Sequence, residues 1–377
     1  MPDGLKPATG TKGATRVWDL PTRIFHWSLV ALIATGLLSG YFAPAWWLDI
    51  HSWAGYGIAG LIIFRLVWAV FGFEYSRFSN FTYAPGETLR HLRSFLRRQP
   101  GHYTGHNPLG AMMVFALIAV ISGIVVSGLV SLGGKEDQGP LATVASYSVG
   151  KTADDIHEIL AGILVGLIGL HIGGVLVESI LSRENLVRSM ISGWKTRLSS
   201  REPAAPRPAR PRAALAVFAV AALLIGSAFT VLAGLPATGL TTAAAHPAFE
   251  AECSDCHQLY HPSLLPAASW RDMMASLDQH FGEDASLDDG DRTSITGHLV
   301  KHAAGHWDSK AAHKFRTISE QEPWQISATP GWKRIHKEIP EADFKRPKVK
   351  SKSNCLGCHS DAASGRFHNQ NIRLPKE

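Results

Sequence analysis

The chain has 377 residues, of which 46% are apolar and 18% charged, and its formal net charge is +6. The basic excess lies in three segments of the first 212 residues, and the remainder is nearly balanced. The charge is therefore a signal of membrane topology, which excludes a nucleic-acid-binding surface as its meaning.

Residues 1–23 are polar, carry Lys6, Lys12, Arg16 and Arg23, and run into an apolar stretch without a small-x-small cleavage site. This pattern predicts an uncleaved anchor rather than a removable signal peptide. Apolar segments follow at residues 24–42, 53–71, 110–132, 156–179 and 213–235, each near the ~20 residues that a bilayer core requires. Five crossings put the two ends of the chain on opposite sides. The N-terminal tail, the 72–108 loop and the 180–212 loop hold 4, 5 and 8 Lys plus Arg, whereas the loops at 43–52 and 133–155 hold 0 and 2. The positive-inside rule then predicts a cytoplasmic N-terminus and an exported C-terminal part.

Composition divides the chain further. A four-helix membrane domain is expected over residues 16–198, followed at 199–212 by a cytoplasmic linker rich in Pro, Ala and Arg, stiff and solvated. The fifth helix, 213–235, has no ionisable residue and reads as a tether that crosses back. Residues 246–377 form an exported domain large enough for a modest core.

Histidines inside spanning helices are rare and normally face a partner in the bundle. His26 lies near the cytoplasmic start of helix 1, His51 opens helix 2, and helix 4 carries His157 and His171. The 14 residues between the last two span ~21 Å and return to within about 40° of one face. Helices 1 and 2 run in opposite directions, so His51 shares the depth of His157 and His26 that of His171. Arg65 lies on nearly the same face of helix 2 as His51, at the inner level. It is either a partner for an anionic group there or a snorkelling arginine. Gly162, Gly166, Gly169, Gly173 and Gly174 on helix 4 leave room for a bulky group, although small residues at this spacing also serve helix packing. Trp46, Trp47 and Trp53 read as an interfacial aromatic belt. His91, His102 and His106 fall in the cytoplasmic loop and are expected to be solvated.

All four cysteines belong to two C-x-x-C-H motifs, Cys253-Ser-Asp-Cys256-His257 and Cys355-Leu-Gly-Cys358-His359. In this motif two thiols bond to haem vinyl groups and the adjacent histidine ligates iron. A zinc knuckle or a thioredoxin-like pair would leave the histidine unexplained at both sites. Such attachment occurs outside the cytoplasm, in agreement with the topology reached from charge alone. With haem as the cofactor, the membrane histidines pair as axial ligands of two non-covalent b-haems, His51 with His157 outside and His26 with His171 inside. Arg65 would then face an inner propionate. The sixth ligands of the two covalent c-haems stay open, since His261, His280, His298, His302, His306, His313, His336 and His368 are all available.

Residues 16–180 resemble the bacterial cytochrome b561 family, close to the b-type cytochrome subunits of nickel-iron hydrogenases. The resemblance rests on Arg23-Ile-Phe-His26-Trp27, His51-Ser-Trp-Ala-Gly55, Arg65-Leu-Val-Trp68 and the His157 to His171 pair. It implies that these histidines bind two b-haems and that helix 3 supplies none. The tail resembles the dihaem cytochrome c family through Leu264-Leu-Pro-Ala-Ala-Ser-Trp270-Arg-Asp-Met-Met274, His280-Phe-Gly-Glu-Asp-Ala-Ser-Leu287 and Trp332-Lys-Arg-Ile-His336-Lys-Glu-Ile339. That resemblance implies His280 and His336 as sixth ligands. His261 stands where the family carries proline, which argues against a shared ligand role.

The expected fold is all-α: a four-helix transmembrane bundle binding two b-haems, a fifth tether helix, and a mainly helical periplasmic dihaem cytochrome c domain. The expected function is electron transfer in a bacterial inner membrane, from membrane quinol through two b-haems and two c-haems to a soluble periplasmic partner. A small haem protein is the natural acceptor, and the basic run Lys345–Lys352 beside the second motif offers one docking surface for it. The alternatives are a redox enzyme with an open site near His51 and His157, approached past Lys135, Lys151 and Trp47, or the anchor subunit of a larger oxidoreductase.

Overall fold

The computed structural model describes residues 14–99, 101, 103–196, 206–237 and 245–375. Five of its helices are long and apolar enough to span a bilayer. These are α1 (Leu20–Tyr41), α2 (Leu48–Phe71), α4 (Pro108–Glu136), α5 (Tyr147–Ser182) and α7 (Pro211–Ala233), with the shorter α3 (Pro85–Leu96) and α6 (Leu186–Ser192) between them. The chain separates into two compact units, the first built on Met1–Phe42, Ile50–Ser127 and Ile156–Ser227, the second on Ala43–Asp49, Gly128–Asp155 and Ala228–Glu377.

In the first unit, Asp19 starts α1 by accepting the Thr22 amide at 3.3 Å. The same buried carboxylate accepts the Trp68 indole N–H at 2.9 Å and the Ser76 hydroxyl at 3.1 Å, so one side chain ties the start of α1 to the end of α2. The helices meet through Ile58, Ile62, Ile121 and Leu164. A short strand that the sequence did not announce, β1 (Ala14–Arg16), pairs antiparallel with β2 (Trp194–Thr196). The expected linker lies partly outside the described residues. Its described end is exposed but tethered: Arg77 donates to the Pro208 carbonyl at 2.9 Å and the Arg210 amide to that of Phe71 at 2.7 Å. Helix α7 is apolar all round and leaves Leu215, Leu223 and Leu224 uncovered, as a helix meeting lipid does.

In the second unit, the tail adds α8 (Pro247–Ser254), α9 (Ala267–Ala275), α10 (Asp289–Lys301), α11 (Lys310–Phe315), α12 (Pro330–Ile335) and α13 (Glu341–Phe344), joined by 3-10 turns and loops. Three clusters hold it, the smallest formed by Ala304, Trp307 and Ala312. Leu265, Trp270, Met274, Ile295 and Leu299 pack beside the first C-x-x-C-H motif, and Leu264, Ala311, Phe315 and Trp332 pack toward the second. Each large apolar side chain buried in this way contributes roughly 1.5–3 kcal/mol. Gly331 is required where α12 crosses α11, because a β-carbon there would collide with the Lys314 carbonyl oxygen.

Candidate haem-binding sites

The rings of His51 and His157 have centroids 5.9 Å apart, and those of His26 and His171 lie 6.5 Å apart. Two imidazoles bound to opposite faces of one metal ion, each by a bond of about 2 Å, place their centroids about 6 Å apart. His51 Nδ1 lies 3.1 Å from the Gly36 carbonyl and His157 Nδ1 lies 2.9 Å from that of Ile124. A proton on Nδ1 donated to a carbonyl leaves Nε2 as the free lone pair, the arrangement a metal ligand needs. Among the described residues His26 Nδ1 is buried with no hydrogen-bond partner. A β-carbon built on Gly36 or Gly55 meets no described atom within 4 Å, which leaves space beside these histidines, whereas Gly162, Gly166, Gly169 and Gly173 open on the face of α5 opposite His157 and His171 and do not make that room. The residues present fit a flat macrocycle held between paired imidazoles.

Arg65 is 4% exposed, so it does not snorkel to water. It donates to the Ser76 carbonyl at 3.0 Å and lies over the Phe78 ring at 4.7 Å. The loop around it departs from expectation. His91 is buried, and His106 sits between Trp18 and Phe81, with centroids at 4.7 and 4.4 Å. Burial, reinforced by the charges of Arg65 and Lys195, pushes the His106 imidazole down to about 3. The density of Phe73, Tyr75, Phe78, Phe81 and Tyr83 is the signal that marks this loop as a packed cap rather than a solvated one. His102 lies outside the described residues.

In the tail, His257 and His280 have centroids 6.1 Å apart, and His336 and His359 have centroids 6.2 Å apart. The two members that the family resemblance implied are therefore the ones that the fold brings to the motif histidines. His280 is carried on a tight turn in which Phe281 and Gly282 adopt φ of 51° and 94°. His336 follows α12, stacks on Trp332 at 4.2 Å, and donates from Nδ1 to the Trp332 carbonyl at 3.0 Å. Burial and the neighbouring His336 hold His359 down to about 4, the neutral state that iron coordination requires. Burial also pushes the Cys253 and Cys355 thiols up to about 11, unlike the lowered thiols of redox-exchange sites. Among the described residues no cluster of three or more His, Cys, Asp or Glu is arranged to hold a metal ion.

Of the remaining tail histidines, His306 is exposed and the others have partners away from the motifs. His261 bonds Ser263 at 2.8 Å and meets Trp307 edge-on, His298 lies against His246 and His302, His313 pairs with Asp308, and His368 lies between Asp137 and Asp361. The basic run is partly spent internally, since Arg346 pairs with Asp343 and Lys352 with Glu341. Lys135 and Lys151 pair with Asp154 and Asp155, so they are not two unmatched cations for a substrate funnel.

A family model described as prokaryotic cytochrome b561 matches residues 17–193, and one described as dihaem cytochrome c matches residues 249–367. A probable Ni/Fe-hydrogenase B-type cytochrome subunit of Rhizobium leguminosarum bv. viciae is 30% identical over 209 residues, covering 47% of this chain and 87% of that one. The solved structure of a dihaem cytochrome c from Rhodobacter sphaeroides is 39% identical, covers 34% of this chain and 100% of that one, and has a TM-score of 0.29. A dihaem cytochrome c from Shewanella baltica is 36% identical, covers 34% and 91%, and has a TM-score of 0.28. The chain belongs to the prokaryotic cytochrome b561 family through residues 17–193 and joins to it a dihaem cytochrome c domain at 249–367, as a multi-pass membrane electron-transfer cytochrome that binds haem b and haem c.

Proposed function

We propose that the chain carries electrons from membrane quinol to a soluble periplasmic acceptor, with two b-haems in the membrane and two covalent c-haems in the tail. The observation that carries this reading is the recurrence of four histidine pairs with centroids 5.9 to 6.5 Å apart. Haem supplies a one-electron iron couple at each pair. His26 with His171 and His51 with His157 would hold the b-haems. Cys253 and Cys256, and Cys355 and Cys358, would hold the c-haems through thioethers, with His257 and His280, and His359 and His336, as axial ligands. Imidazoles on both faces leave no coordination position for a substrate, which directs these sites to electron transfer rather than chemistry on iron. Arg65 would pair with an inner propionate. In the orientation read from the basic loops, the N-terminus is cytoplasmic and the tail periplasmic.

The test is a pyridine haemochrome spectrum of the detergent-solubilised chain, normalised to protein, followed by a redox titration with a quinol. Two b-haems and two c-haems, with b reduced before c, are expected. Recovery of c-haem alone would make the membrane histidines structural and the proposed path wrong.

A further inference from the structure

Residues 43–49 and 128–155, the latter including the end of α4 and the start of α5, group with the tail, and the chain enters His51 and His157 two residues after these segments end. At the base of the second segment the α4 and α5 backbones touch: a β-carbon on Gly150 would lie 2.7 Å from Gly134 Cα. This contact makes the hairpin a firm support for its polar tip.

Glu136, the last residue of α4, is 5% exposed. Both of its carboxylate oxygens accept from Lys310 Nζ at 2.8 Å, and one accepts the Asn369 amide at 3.0 Å. Lys310 completes the set by donating to Asn369 Oδ1 at 2.9 Å. A second contact starts α5, where the Tyr147 amide donates to Asp308 at 2.9 Å and its ring stacks on His313 at 4.3 Å. The tail residues in both contacts flank the Phe315 and Trp332 cluster and His359, and none comes from the half around His257 and His280. A buried ion pair contributes little net stability, but breaking it from one side is strongly destabilising because an uncompensated buried charge remains.

We infer that Glu136, Lys310, Asn369 and the Tyr147, Asp308 and His313 set form an intramolecular dock. It holds the lobe of His336 and His359 on the hairpin that leads directly into His157. The lobe of His257 and His280, where Cys256 and His257 are exposed and Phe281 is 60% exposed, is then the half left for a soluble redox partner. This assignment of inward and outward lobes rests on the proposed electron-transfer function, whereas the dock itself does not.

The test compares Glu136→Lys, Lys310→Glu and the double charge swap in the full haem-loaded chain. Hydrogen exchange at the Tyr147 and Asn369 amides is expected to accelerate at least tenfold in each single variant; in the swap the Tyr147 amide, whose acceptor Asp308 is intact, should return toward the parent rate, whereas the Asn369 amide loses its acceptor with Glu136 and stays fast. In the same single variants, reduction of the c-haems by quinol should slow while their direct reduction by ascorbate is unchanged. Unaltered exchange in both single variants would overturn the dock. Accelerated exchange with unaltered quinol reduction would overturn the lobe assignment. A preparation lacking b-haem would instead refute the electron-transfer reading and leave the exchange result to judge the dock alone.

Discussion

The membrane domain and the tail place paired histidines at nearly the same spacing by opposite means. In the bundle, each partner comes from a different long helix, and helix rise alone sets the depth at which His26 meets His171 and His51 meets His157. In the tail, one partner is fixed by the C-x-x-C-H motif, and the other arrives on a loop or on the end of a short helix braced by an aromatic ring. A long helix fixes where a ligand lies along its axis without help from a core. A loop ligand needs a packed neighbour to hold it.

This contrast can be broken most directly at the ligands. His171→Ala should remove one b-haem per chain and halve the b-type absorbance while leaving the c-haem content intact, because nothing covalent retains a b-haem. His280→Ala, by comparison, should keep its haem attached and change only its spin state, read in the c-type visible spectrum. Survival of both b-haems in His171→Ala would show the pairing to be wrong. The bracing of loop ligands is tested by Trp332→Ala, which removes both a core residue and the ring under His336. A loss of about 3–5 kcal/mol in tail unfolding by urea is expected, with a disturbed second c-haem spectrum.

The pH response should also separate the two regions. In the tail, His261 is held down to about 4, first by burial and then by the charges of His302 and His298. The unfolded imidazole, near 6.5, binds a proton more readily than the folded one, so tail stability falls as pH drops from about 6.5 toward about 4 and is regained above that range. The loss attributable to this residue is up to about 3 kcal/mol, and His261→Gln should flatten that part of the urea-midpoint profile. The smallest expected effect is Thr329→Ala, which deletes the cap that accepts the Trp332 amide at 3.2 Å. It should lower tail stability by about 1 kcal/mol, and a change indistinguishable from zero would mean that packing of Trp332, not the cap, positions α12.

Much of the site was legible in the sequence because its chemistry is local or periodic. The two C-x-x-C-H motifs carry their meaning within five residues each, and the 14-residue spacing of His157 and His171 follows from helix geometry. The sixth ligands in the tail were not derivable in this way: eight histidines competed, and only the resemblance singled out His280 and His336. The 72–108 loop departs from the solvated reading at His91 and His106 because its aromatic residues have no regular period. Helix α5 begins at Tyr147, nine residues before the apolar run expected at 156, because polar residues continue the helix once their groups find partners in the second unit.

The sequence by itself therefore determined the spanning helices, the depth of the membrane histidines and the C-x-x-C-H motifs, since bilayer thickness, helical rise and motif spacing act on contiguous residues. Tertiary structure alone decided which loop histidine meets each motif, how Asp19 joins two helices, and how Glu136 finds Lys310 across 174 residues of chain. These depend on contacts between distant segments, and the desolvation of a buried polar group rewards such contacts only after the whole fold has closed around it.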